Sequence, residues 1–356
     1  MVRTEKELLI ATKSYASENR FQSWRSLFLT LALYFATLGI CFADLPLGLQ
    51  IIASIFSGLL IVRMFIFYHD YQHQAILSHS FVARIILDAY GLLVLSPPSV
   101  WNRSHDHHHK HNSKDLLSSM GSFPTMTCEQ YAATSFSKKV RYYFARHPLT
   151  IALGYITIFM CGMCIRAVWI NPRLHKDAAF AIVIHAVIVY SLILCGWDKL
   201  VLCLMVPLTI ACALGSYLFY AQHNFPGCRL HSREDWSHTS AALKSSSYLK
   251  MNPVMNWFTG NIGYHHIHHL NAKIPFYRLP EVMRDLPELQ KPASTTLRPL
   301  DVLACFRSNL WDTDSQQLVS FRDARLARLA SKSAVSSQGS SLNERQSESY
   351  TSLPDA

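Results

Sequence analysis

The chain has 356 residues, of which 50% are apolar and only 16% charged, which makes it more hydrophobic than an ordinary soluble domain of this length. Its formal net charge of +10 comes from lysines and arginines that flank apolar segments, which argues against a nucleic-acid partner and for a membrane protein. The nine cysteines follow no framework of spacings, so we predict no disulfides.

Two apolar runs near the amino terminus, residues 26–42 and 47–67, are each close to the length that crosses a bilayer. The short turn between them predicts a transmembrane helical hairpin. Basic residues precede it and Arg63 lies near its far end, so the positive-inside rule places both ends of the hairpin on the cytoplasmic side. Residues 1–25 are therefore predicted to be a cytoplasmic N-terminal segment.

Two histidine boxes follow this hairpin. The first box, residues 69–73, reads His-Asp-Tyr-Gln-His, and its outer histidines, His69 and His73, face the same way on a helix that continues the second span. The second box, residues 105–111, contains an HxxHH pattern whose members fall within one helical arc: His105, His108 and His109. His107 and His111 point to the other side of that helix.

The other apolar segments divide by length. Residues 81–95 are too short to span, carry Arg84 and Asp88 one turn apart and end at a Ser-Pro-Pro sequence, so we predict an interfacial or buried helix. Three longer runs come after the second box, at residues 149–169, 178–195 and 200–220.

The third histidine box, residues 265–269, reads His-His-Ile-His-His and repeats the HxxHH arrangement. Its like-facing members are His265, His268 and His269. His223, at the end of the last apolar run, is a natural ninth member of the set. Nine imidazoles are ample for two metal ions.

The three longer runs cannot all cross the bilayer, because the third box would then lie on the opposite side from the first two. The basic loop at residues 171–176 favours the cytoplasmic side, and the tight turn at residues 196–199 suits the far side. We therefore predict that residues 149–169 dip into the membrane and return, and that the last two runs form a second spanning hairpin.

These segments predict an all-α integral membrane protein with two transmembrane helical hairpins, interfacial or re-entrant helices, and a cytoplasmic cap that carries a metal site. The membrane domain is predicted at residues 26–285 and a cytoplasmic C-terminal segment at residues 286–330. Residues 331–356 are rich in serine and poor in large apolar residues, which predicts a disordered tail. Both termini are predicted to be cytoplasmic.

Imidazole ligands point to redox-active or Lewis-acid metals. Neutral imidazole binds iron, zinc, copper and nickel well, and the absence of thiolates from the boxes disfavours a structural zinc site. Two irons in a nitrogen-rich shell can use O₂ to take hydrogen from an unactivated C–H bond, although ligand spacing alone does not name iron. An isolated histidine in an apolar segment, such as His185, is interpreted as a packing residue.

The order and spacing of four motifs resemble the integral-membrane fatty acid desaturase family, in particular its bacterial acyl-lipid members. The resemblance covers about residues 60–285. Its motifs are HDYQH at residues 69–73, WNRSHDHHH at 101–109, YAQHNF at 220–225 and GNIGYHHIHHLN at 260–271.

The resemblance implies an enzyme with two non-haem irons that removes two hydrogens from adjacent methylenes of a fatty acyl lipid or acyl-thioester, with O₂ as co-substrate. Carried over by position, the metal ligands are His69, His73, His105, His108, His109, His223, His265, His268 and His269. Asp70 and Asn261 are implied to orient ligands or a metal-bound water. Residues 81–95 and 149–169 are expected to line the tunnel that holds the acyl chain.

The electron donor is expected to be a separate protein. Family members with their own cytochrome b5 domain carry an HPGG haem-binding motif, and this sequence contains none. The donor would be a ferredoxin or a cytochrome b5-like carrier, and a basic cytoplasmic surface would suit an acidic one.

Two other functions remain open at the level of sequence. A lipid hydroxylase or carotenoid ketolase uses the same di-iron chemistry, with oxygen rebound in place of the second hydrogen removal. A membrane metal transporter would instead place polar residues at several depths within its spans, whereas the boxes here collect at one membrane face.

Overall fold

The computed structural model describes residues 3–114, 123–231 and 234–330, and the predicted disordered tail at residues 331–356 lies outside them. The amino-terminal half is helical. Its elements are α1 (Glu5–Thr12), a 3₁₀ helix (Lys13–Ala16), α2 (Arg20–Phe42), α3 (Leu47–Gln72), α4 (Phe81–Leu93), α5 (Pro98–His111), α6 (Cys128–Ala133), α7 (Phe136–Ala145), α8 (Pro148–Ala152), a π-helix (Tyr155–Ile165) and α9 (Arg166–Ile170).

The second half adds two more long helical segments and a small mixed cap. Its helices are α10 (Lys176–Cys195), α11 (Trp197–Leu200), a π-helix (Val201–Met205), α12 (Val206–Ala221), α13 (His238–Lys244), α14 (Pro253–Phe258), α15 (His265–Leu270), α16 (Leu279–Asp285), α17 (Pro299–Arg307) and 3₁₀ turns at Phe276–Arg278 and Pro287–Leu289. The strands are β1 (Tyr248–Lys250), β2 (Ser294–Thr296), β3 (Leu310–Asp312) and β4 (Gln317–Val319). The predicted all-α membrane class is confirmed, with these short strands as its only departure in the described part of the chain.

Four helical segments are long and apolar enough to cross a membrane, and they coincide with the four runs predicted to span. They are Arg20–Phe42, Leu47–Gln72, Lys176–Cys195 and Trp197–Ala221. The first begins earlier than residue 26 because the Asn19 side chain caps it, accepting a hydrogen bond from the Gln22 amide at 3.0 Å. The second runs beyond residue 67 and carries the first histidine box past the apolar stretch.

Helices α3 and α12 pack in close contact, which brings the two hairpins together. A Cβ atom added at Gly58 of α3 would lie 2.9 Å from the Pro207 carbonyl oxygen of α12, so glycine permits this approach. The Ser54 hydroxyl also donates to the Leu202 carbonyl at 2.6 Å. These contacts fix the separation of the helices that lead to His69 and His223.

Helices α4 and α5 form a sharp corner, with an angle of 92° between them. Pro98 begins α5, where proline is favoured. The first turn of α5 has no cap from its own sequence and is capped by Asp177 of α10, which accepts from the Ser99 amide at 2.7 Å and the Ser99 hydroxyl at 2.5 Å. The helix that carries the second box is therefore held by the second hairpin.

Residues 148–170 contact both α12 and the residues at the α4–α5 corner. A Cβ atom at Gly154 would approach the Ser216 hydroxyl of α12 to 2.5 Å, and the Cys164 thiol donates to the Leu95 carbonyl at 3.4 Å. The π-helical winding and the short helices leave this run outside the set of membrane-length helices. The prediction that this segment dips into the membrane and returns stays a prediction.

The C-terminal segment packs back onto the membrane domain. Strand β2 pairs in parallel with β1, and β3 pairs antiparallel with β4. Phe306 of α17 stacks on Tyr220 of α12 with ring centroids 5.4 Å apart. The predicted domain boundary after residue 285 stays a prediction, and β1 and β2 pair across it.

Candidate metal centre

Nine buried or half-buried imidazoles form two clusters in one region of the protein. Within each cluster, one ring nitrogen of every histidine lies within 4.8 Å of those of the other members. The five-histidine cluster contains His69, His73, His105, His109 and His268. The four-histidine cluster contains His108, His223, His265 and His269. The structure thus brings together every histidine that the sequence singled out as a metal ligand.

Helical spacing explains how one box serves both clusters. His105 and His109 of α5 are one turn apart and share a face, whereas His108 is rotated by about 100° from His109 and joins the other cluster. In α15, His265 and His269 share a face in the same way, and His268 turns toward the five-histidine cluster. Each box helix therefore lies between the two clusters.

The spacing of the ring nitrogens suits a metal ion in each cluster. Two nitrogen ligands at right angles on a metal, with bonds of about 2.1 Å, would be about 3 Å apart. In the five-histidine cluster the Nε2–Nε2 distances are 3.0 Å for His69–His105, 3.1 Å for His105–His109 and 3.0 Å for His109–His268. In the four-histidine cluster they are 3.0 Å for His108–His223, His223–His265 and His265–His269.

An orphaned nitrogen and the chemistry of the donor set support the same fit. The Nε2 atom of His73 is buried and has no hydrogen-bond partner among the described residues, which is costly unless something else binds it. Neither cluster includes a thiolate or a carboxylate from the described chain. An all-imidazole set suits iron, copper, nickel or zinc, and it does not suit magnesium or calcium.

Two imidazoles are oriented through their second ring nitrogen. The Nδ1 atom of His69 lies 2.9 Å from the Asp70 carboxylate, and the Nδ1 atom of His223 lies 3.0 Å from the Ser245 carbonyl oxygen. Because both partners are acceptors, Nδ1 carries the proton and donates, and Nε2 is left free as the ligand atom. Trp101 stacks on His105 with ring centroids 4.1 Å apart, which further restricts that ring.

Burial keeps the imidazoles of the cap neutral. It lowers the pKa of His223 to about 4, against a weaker opposing effect of the Ser245 carbonyl. Burial, followed by the neighbouring imidazoles, also holds the pKa values of His265 and His268 well below the usual range. Neutral imidazole is the form that binds metal, so these side chains are ready to act as ligands at neutral pH.

Asp70 and Asn261 meet at the backbone of Phe276. Besides its contact with His69, the Asp70 carboxylate accepts from the Phe276 amide at 2.7 Å, and the Asn261 side chain donates to the Phe276 carbonyl at 3.2 Å. Asn261 has a φ of +56° and follows Gly260, whose added Cβ would lie 3.0 Å from the Ile66 Cβ atom. Asp70 therefore contacts one of the predicted ligands, and the roles expected for Asp70 and Asn261 both stay predictions.

The sequence did not single out Arg146, a buried residue that contacts the neighbour of His223. Its guanidinium donates to the carbonyls of Pro124 and Ser308 at 2.8 Å each and to the side chain of Asn224, the residue after His223. It also lies 5.3 Å from the centroid of the Tyr220 ring. Only the tertiary structure reveals these contacts, because in the sequence Arg146 is one of several basic residues.

The isolated histidines stay outside both clusters, as expected for packing residues. His185 of α10 hydrogen-bonds the hydroxyl of Tyr155, in the π-helix before α9, at 2.5 Å. His175 hydrogen-bonds the Ser99 hydroxyl at 2.7 Å. Within the second box, His107 stacks on His111 with centroids 4.1 Å apart, on the face of α5 turned away from the clusters.

A largely apolar cavity of about 790 Å³ runs beside the two clusters. His69 and His105 of the five-histidine cluster and His265 of the other form part of its wall. Both segments expected to line an acyl tunnel contribute to the wall. Tyr90 and Val94 come from residues 81–95, and several residues between 157 and 167 come from residues 149–169. The remaining wall is mainly α3 and α12.

Membrane-length helices, together with two imidazole clusters beside a largely apolar cavity, define a helical membrane protein with a candidate metal centre. Its family follows from sequence comparison. The fatty acid desaturase model matches residues 45–300, more than half of the chain, and the chain belongs to that family. It is accordingly an oxidoreductase of the desaturase type.

Three relatives show how far the similarity extends. A fatty acid desaturase of Bacillus subtilis is 32% identical over 285 residues, which cover 78% of this chain and 78% of the relative. The sn-1 oleoyl-lipid 12-desaturase of Synechocystis sp. is 22% identical, with coverage of 72% and 74%. The chloroplastic omega-6 fatty acid desaturase of Glycine max is 21% identical, with coverage of 75% and 63%.

Proposed function

We propose that this desaturase introduces a double bond into a fatty acyl chain at a di-iron centre, with O₂ as co-substrate and electrons from a separate carrier. The observation that carries the proposal is the adjacency of the two imidazole clusters and the apolar cavity, which share His69, His105 and His265. An acyl chain in that cavity would lie beside both clusters. Membership of the family supplies the class of reaction.

One iron would be held by the five-histidine cluster and the other by the four-histidine cluster. When bound, the two irons would supply the reduction of O₂ and the removal of hydrogen from an unactivated C–H bond. The chain's part is to hold neutral imidazoles in fixed directions. Asp70 and the Ser245 carbonyl do so for His69 and His223.

The cavity would select the methylenes that react. Its apolar wall excludes water and holds the chain against the clusters, while its depth decides which carbons lie beside them. Asp70 and Asn261 would hold the Phe276 backbone in place next to the residue pair Asp70–His69.

The electron donor is proposed to be a ferredoxin or a cytochrome b5-like protein that docks on the cytoplasmic side, where the positive-inside rule also places both termini. The net charge of +10 favours an acidic donor. Stopped-flow reduction rates should fall as salt is raised, because screening removes the attraction. Rates that do not change between low and high salt would contradict the proposed attraction.

Oxygen consumption by the purified, iron-loaded protein in nanodiscs tests the function. With a reduced ferredoxin, we expect consumption only when an acyl substrate is present, and an alkene product by mass spectrometry. An alcohol as the only product would make the protein a hydroxylase. Iron release across the membrane without lipid-dependent oxygen use would make it a transporter.

A further inference from the structure

We propose that Arg103 and Arg166 form a phosphate-binding site at the membrane surface of the cavity, so that the acyl substrate is taken as a glycerophospholipid from the bilayer. The inference rests on the proposed function, since it names the carrier of the acyl chain. The two residues lie on different elements, α5 and α9, and both line the cavity.

The charge of the cavity wall is the first observation. Among the described lining residues, Arg103 and Arg166 are the only lysine, arginine, aspartate or glutamate side chains, and the rest of the wall is largely apolar. The ligand that complements such a wall has a long apolar chain and an anionic group. Guanidinium groups bind phosphate oxygens through paired, charge-assisted hydrogen bonds.

Neither guanidinium has an acidic partner within the described part of the chain. Asp177 belongs to the same corner of the fold, but its carboxylate already accepts from the Ser99 amide, the Ser99 hydroxyl and the Ala178 amide. Both arginines are exposed, so this part of the cavity wall reaches the surface. An external anion can therefore reach them without breaking an internal ion pair.

The position of α9 identifies the bilayer as the source of the ligand. Trp169, one turn beyond Arg166, is 87% exposed, and Ile165 and Ile170 are also exposed. Exposed tryptophan and isoleucine beside the basic residues Arg173 and Lys176 are typical of a helix at the membrane interface. Lipid phosphates lie at that depth, whereas a soluble acyl carrier would approach from the aqueous side.

Polar donors next to the two arginines extend the site. Asn171 and His175 also line the cavity. The Nδ1 atom of His175 is hydrogen-bonded to the Ser99 hydroxyl, which leaves Nε2 as the other polar atom of the ring. The Asn171 side-chain oxygen accepts from the Leu174 amide, which leaves its NH₂ group to donate. The acyl chain would run from this corner past His105 and His69.

The turnover test uses the whole iron-loaded protein in nanodiscs that contain either phosphatidylglycerol or a phosphate-free glucosyl diacylglycerol with the same acyl chains. We compare the intact protein with the double variants Arg103→Gln/Arg166→Gln and Arg103→Lys/Arg166→Lys. The control is Arg173→Gln, which removes an exposed arginine from the same corner that does not line the cavity.

We expect the ratio of kcat/KM for the phospholipid to that for the glycolipid to fall about tenfold in the glutamine double variant, mainly through KM. Two exposed arginine–phosphate contacts of ~0.7 kcal/mol each would account for that factor. The lysine double variant should retain part of the preference, and Arg173→Gln all of it. An unchanged ratio in the glutamine variant, or faster turnover of an acyl-thioester than of the phospholipid by the intact protein, would overturn the inference.

A binding measurement separates this inference from the proposed function. The association of spin-labelled phosphatidylglycerol, relative to spin-labelled glucosyl diacylglycerol, is measured by electron paramagnetic resonance without turnover. We expect the intact protein to prefer the phospholipid and the glutamine double variant to lose that preference. The same preference for the phospholipid in both proteins would overturn the phosphate site. If the intact protein prefers the phospholipid but desaturates no acyl substrate, the proposed function is overturned instead.

Discussion

His107 and His109 are two residues apart on α5, but their side chains have different surroundings. His109 lies in the five-histidine cluster, with its Nε2 atom 3.0 Å from that of His268, whereas His107 stacks on His111 on the other face. The HxxHH pattern predicted this difference from helical geometry alone. It did not predict that His108 and His109 belong to different clusters, because spacing along one helix does not reveal which histidines approach from others.

The first prediction compares these two neighbours. His109→Ala should lose iron and activity together, because it removes one proposed ligand from the five-histidine cluster. His107→Ala should keep both, since His107 lies outside the clusters. Iron per protein by inductively coupled plasma mass spectrometry, together with desaturase activity, checks the pair. Equal iron in the two variants would show that the ligand assignment is wrong.

Asp70 is the carboxylate expected to matter most. Asp70→Asn keeps an oxygen that can accept from the Phe276 amide, but it replaces the carboxyl oxygen beside the His69 Nδ1 atom. We expect iron affinity or activity to fall by about 10- to 100-fold with the fold retained. Asp106→Asn, on the exposed surface of α5, is the control and should behave as the intact protein does. Matching iron affinity and activity in both variants would remove Asp70 from the site.

At the scale of elements, length and hydropathy predicted the four spans because a bilayer imposes a minimum length on a helix. The start of α2 was missed because the cap at Asn19, and not hydropathy, decides where that helix begins. The hydrogen bonds from α5 to Asp177 join residues far apart in the chain, as does the pairing of β1 with β2. Such contacts leave no local signal in a single sequence.

Arg146 provides the test at this scale, because it ties the end of α7 to the residue after His223 and to the C-terminal segment. Arg146→Gln would leave buried carbonyl oxygens without donors and should lower the free energy of unfolding by about 2–4 kcal/mol. Iron binding should weaken as well. Arg141→Gln, exposed on the same helix, is the control. A melting temperature in detergent and an iron content equal to those of the control would show that Arg146 has no such role.

At the scale of the whole molecule, the centre depends on four separated parts of the chain. One long helix brings His69, the second box comes from α5, His223 follows α12, and the third box forms α15. The sequence predicted that these parts share one membrane face, since one centre requires it. Their relative positions follow from helix packing, such as the contact of Gly58 with Pro207, and could not be predicted from the pattern of residues.

The central claim is that the two imidazole clusters desaturate an acyl chain. Its most direct test is the fatty-acid profile, by gas chromatography with mass spectrometry, of a ferredoxin-containing host that expresses the intact protein, His268→Ala or His107→Ala. We predict a new unsaturated chain with the intact protein and with His107→Ala, and none with His268→Ala, which lacks one proposed ligand of the five-histidine cluster. The same unsaturated chain from His268→Ala, or hydroxylated lipid as the only product of the intact protein, would contradict it.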